Sequence, residues 1–326
     1  MKNKILYIYS GGSRKKLIRE VQEGASPDTM LYGFNHFKDA EFIESKGRWA
    51  DLFFMSRLFY IASFEFVISP VAIPVLLVFS FIPFIKTKWI VFNINLVHTL
   101  NRKKDGFKKK LLIRVLNHSH RILCLSNFQK EALIRHGVSE EKLEFVYFGV
   151  DSTYHDSVYC GGEVILSVGK DKGRDYKNFL GAISGLDNVS IVTSKRNLEG
   201  LNVPRDVSTY FDISNSELKK LYQKAKMVVV TLNKDGGSDC SGQTVVLDAM
   251  SNGIPVIVSD RKWVRDYGLG GIVKVVSPGD PSGLRKEIDI LNSDIELRKR
   301  MSILGRKKVL SCYNTTHMAD HIKKYL

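Results

Sequence analysis

The stretch Gly236-Gly-Ser-Asp-Cys-Ser-Gly-Gln-Thr-Val-Val-Leu-Asp-Ala-Met-Ser-Asn-Gly-Ile-Pro-Val-Ile-Val-Ser259 reads as a Gly/Ser-rich loop, a helix opening near Gln243, a glycine stop at Gly253 and a strand. An apolar run at 227–232 precedes it, so the order is strand, loop, helix, strand, the unit from which parallel sheets are built. The loop carries chemistry of its own. N–H groups of Gly242, Gln243 and Thr244 at a helix N-terminus have no carbonyl one turn back, and partial positive charge collects there. Such a mouth is an anion site suited to a diphosphate. Asp248, one turn further in, is placed to reach a ribose hydroxyl. A capped helix with a surface aspartate would show the same spacing without any ligand.

Working outward, short apolar runs alternate with amphipathic segments along the whole chain. Strands are expected at 5–10, 64–69, 89–95, 121–126 and 143–148, with a helix at 127–136 closed by Gly137. Residues 24–50, broken by Pro27, Gly33 and Gly47, read as loops and short elements. Periodicity stops at 149–156. It restarts with strands at 163–168, 189–193, 207–211, 227–232, 255–259 and 272–276, and helical pattern fills most of 282–326. Ser214-Asn-Ser-Glu217 is a capping box in front of a helix at 218–225. Two successive α/β units of similar size predict two doubly wound, Rossmann-like domains facing a cleft, with ligands at the carboxyl ends of the strands. The expected boundaries are 1–150, 151–312, and a C-terminal helix at 313–326 that crosses back to the first domain.

Charge narrows the partners. The 326 residues carry 49 Lys+Arg against 34 Asp+Glu, a net +15. Residues 86–121 hold ten basic side chains and one acid, Asp105, densest at Arg102, Lys103, Lys104, Lys108, Lys109 and Lys110. A solvated face is the plain reading. Phe107, Leu111 and Leu112 beside the cations favour an anionic membrane surface over nucleic acid. Residues 66–85 are free of charge and long enough to raise a membrane span, but Pro70, Pro74 and Pro83 interrupt them. An apolar helix from Pro74 to about Ile85, placed in the core, is expected instead. Abundant aromatic and aliphatic residues exclude disorder. Four scattered cysteines, Cys124, Cys160, Cys240 and Cys312, argue against a disulfide scaffold or a cysteine zinc site and fit a reducing cytoplasm. The apolar run after Lys4 is too short for a signal peptide.

With these residues in place, the chain resembles the retaining glycosyltransferases of family 4, which have the GT-B fold. That family carries Glu-x7-Glu followed by Ala-Met-x-x-Gly-x-Pro-Val. Here Asp248 stands at the second glutamate, and Ala249-Met-Ser-Asn-Gly253-Ile-Pro255-Val follows. Cys240 stands at the first, which in the family touches the donor sugar, so Asp239 or a backbone group is expected to substitute. Leu166-Ser-Val-Gly-Lys170-Asp-Lys-Gly-Arg174 looks like the family's strand and cationic element, with Lys170 in place of its arginine and Arg174 in place of its lysine. Cys124-Leu-Ser126 and Val146-Tyr-Phe-Gly149-Val-Asp151 match further blocks, with Phe148 replacing an asparagine. Gly11 and Gly12 match the glycine loop, and His98 falls where the family has a strand-end histidine near the donor sugar.

The resemblance implies transfer of a sugar, with retention, from a UDP- or GDP-linked donor to a hydroxyl acceptor. Lys170 and Arg174 would neutralise the diphosphate, with Ser241, Gly242, Gln243 and Thr244 lining the same site. No cofactor is expected, and no Asp-x-Asp metal motif occurs. Lys195, Arg196 and Tyr210 are candidates for base recognition. The basic stretch suggests a lipid-linked glycan or glycolipid acceptor at the inner face of a bacterial membrane, with no nucleic-acid partner. A GT-B epimerase, a non-catalytic basic lipid- or nucleic-acid-binding protein, and an inactive transferase degenerate at Cys240 are the alternatives.

Overall fold

The computed structural model describes residues 4–10, 13–45, 50–69, 74–82, 84–104, 106–154, 161–234, 238 and 240–326. They divide into two compact units. The first takes in the described parts of Met1–Glu23, Asp28–Tyr147 and Thr316–Leu326; the second takes in Gly24–Pro27 and those of Phe148–Thr315.

The first unit holds a six-stranded sheet of β1 (Ile5–Ser10), β2 (Ala40–Ser45), β3 (Phe66–Ser69), β4 (Lys88–Asn93), β5 (Arg121–Cys124) and β6 (Leu143–Phe145), in the order β2-β1-β3-β4-β5-β6. The second holds β7 (Val164–Val168), β8 (Val189–Thr193), β9 (Ser208–Phe211), β10 (Ala225–Val230), β11 (Val256–Ser259) and β12 (Lys274–Val276), in the order β12-β11-β10-β7-β8-β9. Every pairing in both sheets is parallel. Central strands such as Val-Ile-Leu-Ser-Val in β7 and Val-Ile-Val-Ser in β11 are covered by helices on both faces, hence their near-continuous apolar sequence. In the second sheet the chain starts at β7, runs out through β8 and β9, then returns to β10 and runs the other way. The order reverses between β7 and β10, and the loops leaving their carboxyl ends flank the crevice where doubly wound sheets take ligands.

Several elements depart from the expected pattern. Residues 40–45 form β2, an edge strand that read as loop because its glutamates, Glu41 and Glu44, break up the apolar signal. Glu44 then caps the helix Arg14–Gln22, accepting the N–H groups of Arg14 at 2.5 Å and Lys15 at 3.2 Å. The apolar helix ends early, at Pro74–Phe79. Val75, Leu76 and Phe79 are buried in the first unit's core beside Trp89, as expected, but Phe81 and Phe84 beyond it are 59% and 80% exposed. Among the described residues no helix is long and apolar enough to cross a membrane. The capping box at Ser214 and Glu217 forms in full, on a helix that opens at Asn215.

The C-terminal helix Thr315–Lys323 brings Ala319 and Ile322 against Gly33, which has φ +84. An added Cβ there would sit 3.4 Å from Ala319 Cβ. Where the chain passes into the second unit, Gly149 runs so close to Asn314 that a Cβ would lie 2.3 Å from its carbonyl oxygen. Backbone bonds from Val150 to Tyr313 (2.9 Å) and from Thr315 to Val150 (3.1 Å) seal that crossing.

Candidate active site

The turn after β7 is pinned at one carbonyl. Gly169 accepts hydrogen bonds from Tyr176 Oη at 2.9 Å and Thr193 Oγ1 at 2.7 Å. Only glycine fits here, because a Cβ would lie 2.0 Å from Arg174 Nε. The Arg174 side chain is 5% exposed and donates from Nε to Asp171 Oδ2 at 2.7 Å. Its backbone is laced to the loop after β10: Asp175 N–H to Thr231 carbonyl (3.1 Å), Asn233 N–H to Gly173 carbonyl (2.8 Å) and Asn233 Nδ2 to Arg174 carbonyl (3.1 Å). Two loops from neighbouring strands therefore form one rigid wall.

The helix Gln243–Ser251 opens against that wall. Gly242 caps it with φ +82, and a Cβ there would meet Val230 Cγ1 at 2.9 Å and Arg174 Nη1 at 3.5 Å. The buried Nη1 of Arg174 thus faces the helix mouth, and it has no hydrogen-bond partner among the described residues. A buried cationic donor beside the positive end of a helix is unfavourable until an anion arrives. N–H groups of Gly242 and Thr244 make no hydrogen bond among the described residues. The expected third donor is corrected: Gln243 N–H turns back to the carbonyl of Cys240 at 3.2 Å, because the residues before the helix form a tight turn. Ser241 is buried and donates to Asp171 Oδ1 at 2.5 Å. Burial pushes the Asp171 carboxyl up, but Arg174, Ser241 and the Gly173 N–H outweigh it and hold it below the usual carboxylate range.

Asp248 lies deeper on the same helix. Its Oδ1 is sealed from solvent, and burial, with the charge of Asp151 adding to it, pushes its carboxyl up to about 7. Asp151 is itself buried and accepts from Thr153 N–H (2.9 Å), Thr153 Oγ1 (2.7 Å) and Tyr154 N–H (2.9 Å). Lys170 is half-exposed and pairs with Asp212 at 3.2 Å. An exposed pair of that kind is worth at most about 1 kcal/mol, so the ammonium is easily recruited elsewhere. Arg196 donates to the Lys170 carbonyl at 3.0 Å, while Lys195 is exposed and Tyr210 lies on β9.

The structure thus brings together Arg174, Ser241, Gly242, Gln243 and Thr244, with Cys240 in the turn before the helix and Asp248 beneath, while the Lys170 side chain lies on Asp212 instead. Gly11, Gly12 and Asp239 lie outside the described residues. His98 is exposed in the first unit, on the helix Leu96–Arg102 rather than at a strand end, because β4 stops at Asn93 and Asn93 Oδ1 takes the Leu96 N–H at 3.1 Å. Asp171, Asn233 and Arg261 were not legible as site residues. Arg261 holds the β10 loop through the carbonyls of Asn233 (3.0 Å), Lys234 (3.1 Å) and Ser238 (3.3 Å). Only the run of cations and acids at 170–175 hinted at Asp171.

In the first unit, Arg102, Lys104, Lys108 and Lys110 are exposed, and Lys103 and Lys109 are half-buried. The helix Phe107–His118 packs on Pro74–Phe79. Phe107 (79% exposed), Lys110 and Arg114 share one face by their spacing, and the Arg114 guanidinium lies 4.5 Å over the Phe81 ring.

Comparison with known proteins completes the picture. The family model for glycosyl transferases group 1 matches residues 170–308, and that for Glycosyltransferase Family 4 matches residues 55–154. No curated protein sequence matches the chain significantly. Among solved structures, Anabaena HepE in complex with UDP and glucose is 13% identical, with 99% of this chain and 98% of that one covered and a TM-score of 0.73. Sucrose-phosphate synthase of Thermosynechococcus elongatus is 15% identical over 99% and 98%, with a TM-score of 0.72. The lipopolysaccharide outer core galactosyltransferase WaaB is 14% identical over 99% and 98%, with a TM-score of 0.60. The two parallel six-stranded sheets match the two-domain α/β GT-B fold of these structures.

Proposed function

We propose that this chain, a glycosyltransferase of the family 4 type by its matches at residues 170–308 and 55–154, moves a sugar from a nucleotide-sugar donor to a hydroxyl acceptor with retention at the anomeric carbon and without a metal ion. The observation that carries the reading is Arg174, buried at the sheet's switch point with Nη1 turned to the mouth of Gln243–Ser251. The donor diphosphate lies there, held by Arg174, by the N–H groups of Gly242 and Thr244, and by Lys170 released from Asp212. Asp248, ionised, accepts from the ribose hydroxyls.

In the reaction the bond from the anomeric carbon to the diphosphate oxygen breaks as the acceptor oxygen bonds on the same face. The departing phosphate takes the acceptor's proton. Arg174 and the helix mouth stabilise the charge that grows on the leaving group, which is electrostatic catalysis by groups already in place. The UDP complex of HepE supports a nucleoside diphosphate as the ligand of such a fold.

The acceptor we propose is a lipid-linked glycan or glycolipid, taken from an anionic membrane on which the first unit rests. The cationic helix Phe107–His118 and the exposed Phe81, Phe84 and Phe107 support it: cations for head groups, rings for the acyl boundary. The similarity to WaaB, a lipopolysaccharide outer core galactosyltransferase, is in keeping with that reading.

Thermal-shift screening with UDP, GDP, ADP and CMP tests the donor site. At 100-fold above Kd the fitting nucleotide stabilises the protein by about 2.7 kcal/mol, a rise of a few degrees. Arg174→Ala is expected to abolish that rise. An equal rise in the variant would remove the proposal.

A further inference from the structure

The site contains a carboxylate that diphosphate binding alone does not call for. Asp171 lies beside the helix mouth, half-exposed, where a negative charge repels the proposed ligand. Its contacts show what it does. Oδ2 takes the Nε edge of Arg174 at 2.7 Å, and Oδ1 takes both the Gly173 N–H at 3.0 Å and the Ser241 hydroxyl at 2.5 Å. A guanidinium presents its donors along fixed edges. With the Nε edge engaged by Asp171, the remaining Nη1 is the one directed at Gly242. The Ser241 bond, between residues 70 apart, fixes the turn from which the Gly242 and Thr244 N–H groups point.

We propose that Asp171 is a positioning residue: one carboxylate that sets the angle of the Arg174 fork and the pitch of the Ser241–Gly242 turn at once, so that cation and helix mouth converge on one phosphate group. This rests on the donor-site reading above. Local charge still favours an anion, since Asp171 only neutralises Arg174 and leaves the helix end, with Lys170 recruitable from its exposed pair with Asp212. An alternative role is that of a stand-in, an internal anion that occupies the site and must be displaced. The two predict opposite signs. Removing a positioning group weakens ligand binding, and removing a competitor strengthens it.

The experiment is isothermal titration of UDP, GDP, ADP and inorganic pyrophosphate into the full chain and its Asp171→Asn, Asp171→Ala, Arg174→Ala and Asp171→Ala/Arg174→Ala variants, with melting temperatures alongside. Positioning predicts that Asp171→Ala weakens the best nucleotide by about 10-fold or more, with Asp171→Asn between it and wild type. It also predicts that Asp171→Ala costs less in binding once Arg174 is gone, since only the Ser241–Gly242 turn is then left for it to position. A merely structural role would show as a lowered melting temperature in both backgrounds, with a loss of binding that adds to that of Arg174→Ala, and would overturn the proposal. So would binding that is unchanged or tighter in Asp171→Ala. If Arg174→Ala binds as well as wild type, or if wild type binds none of the four probes, the donor-site reading fails and takes this inference with it. Loss in Arg174→Ala with none in Asp171→Ala sinks the inference alone.

Discussion

Asp248 shows how one residue ties the site to pH. In the folded protein burial, with the Asp151 charge adding to it, pushes its carboxyl up to about 7 by disfavouring the ionised form. An unfolded aspartate titrates near 3.9. The folded state therefore binds this proton more tightly, so the contribution of Asp248 to stability is present below pH 4 and is lost as pH rises to about 7. Melting temperatures measured across that window for wild type and Asp248→Asn are expected to show the decline in wild type only. Ribose binding needs the carboxylate, so affinity for the fitting nucleoside diphosphate should rise through pH 7 while that for inorganic pyrophosphate does not follow Asp248. Parallel curves for the two ligands would contradict the ribose role. At this scale Gly242 was legible in the glycine loop, and Lys170 and Arg174 through the resemblance to the family's cationic element. Asp171 was not. Its role depends on Ser241, and no local pattern reports a hydrogen bond between segments so far apart.

Among the elements, every strand but β2 was legible, most plainly those buried on both faces. β7, β8, β10 and β11 are runs of Val, Ile and Leu, and the capping box marked its helix through two side chains. β2 was illegible because an edge strand needs only one covered side and tolerates Glu41 and Glu44. The helix expected in the core from Pro74 to about Ile85 is there only as Pro74–Phe79, and beyond it Phe81, against Arg114, and Phe84 turn to solvent. Phe107–His118 therefore has an apolar neighbour that its own sequence does not announce. Liposome co-sedimentation tests the element directly. Reversing Lys108, Lys109 and Lys110 to Glu is expected to weaken binding to anionic vesicles by at least on the order of 100-fold, at about 1 kcal/mol per lost cation. Phe81→Ser/Phe84→Ser should leave a weaker binding that salt abolishes. Binding indifferent to both changes would remove the membrane surface.

For the whole molecule, two parallel sheets are two chances to place loops at a switch point, and in the proposed function the second serves phosphate chemistry. There β7 and β10 sit side by side although β8 and β9 intervene in sequence, and this crossover alone brings Gly169–Arg174 to Ser241–Thr244. Alternating strands and helices made that topology predictable. The convergence of Arg174 Nη1 on the helix mouth is what three dimensions add. The most direct test is a crystal structure of the protein soaked with the nucleoside diphosphate that stabilises it most. The account predicts diphosphate oxygens within about 3 Å of Arg174 Nη1 and of the Gly242 and Thr244 nitrogens, with Asp171 still on Arg174 Nε. A nucleotide bound elsewhere, with Arg174 Nη1 facing an unfilled helix mouth, would contradict it.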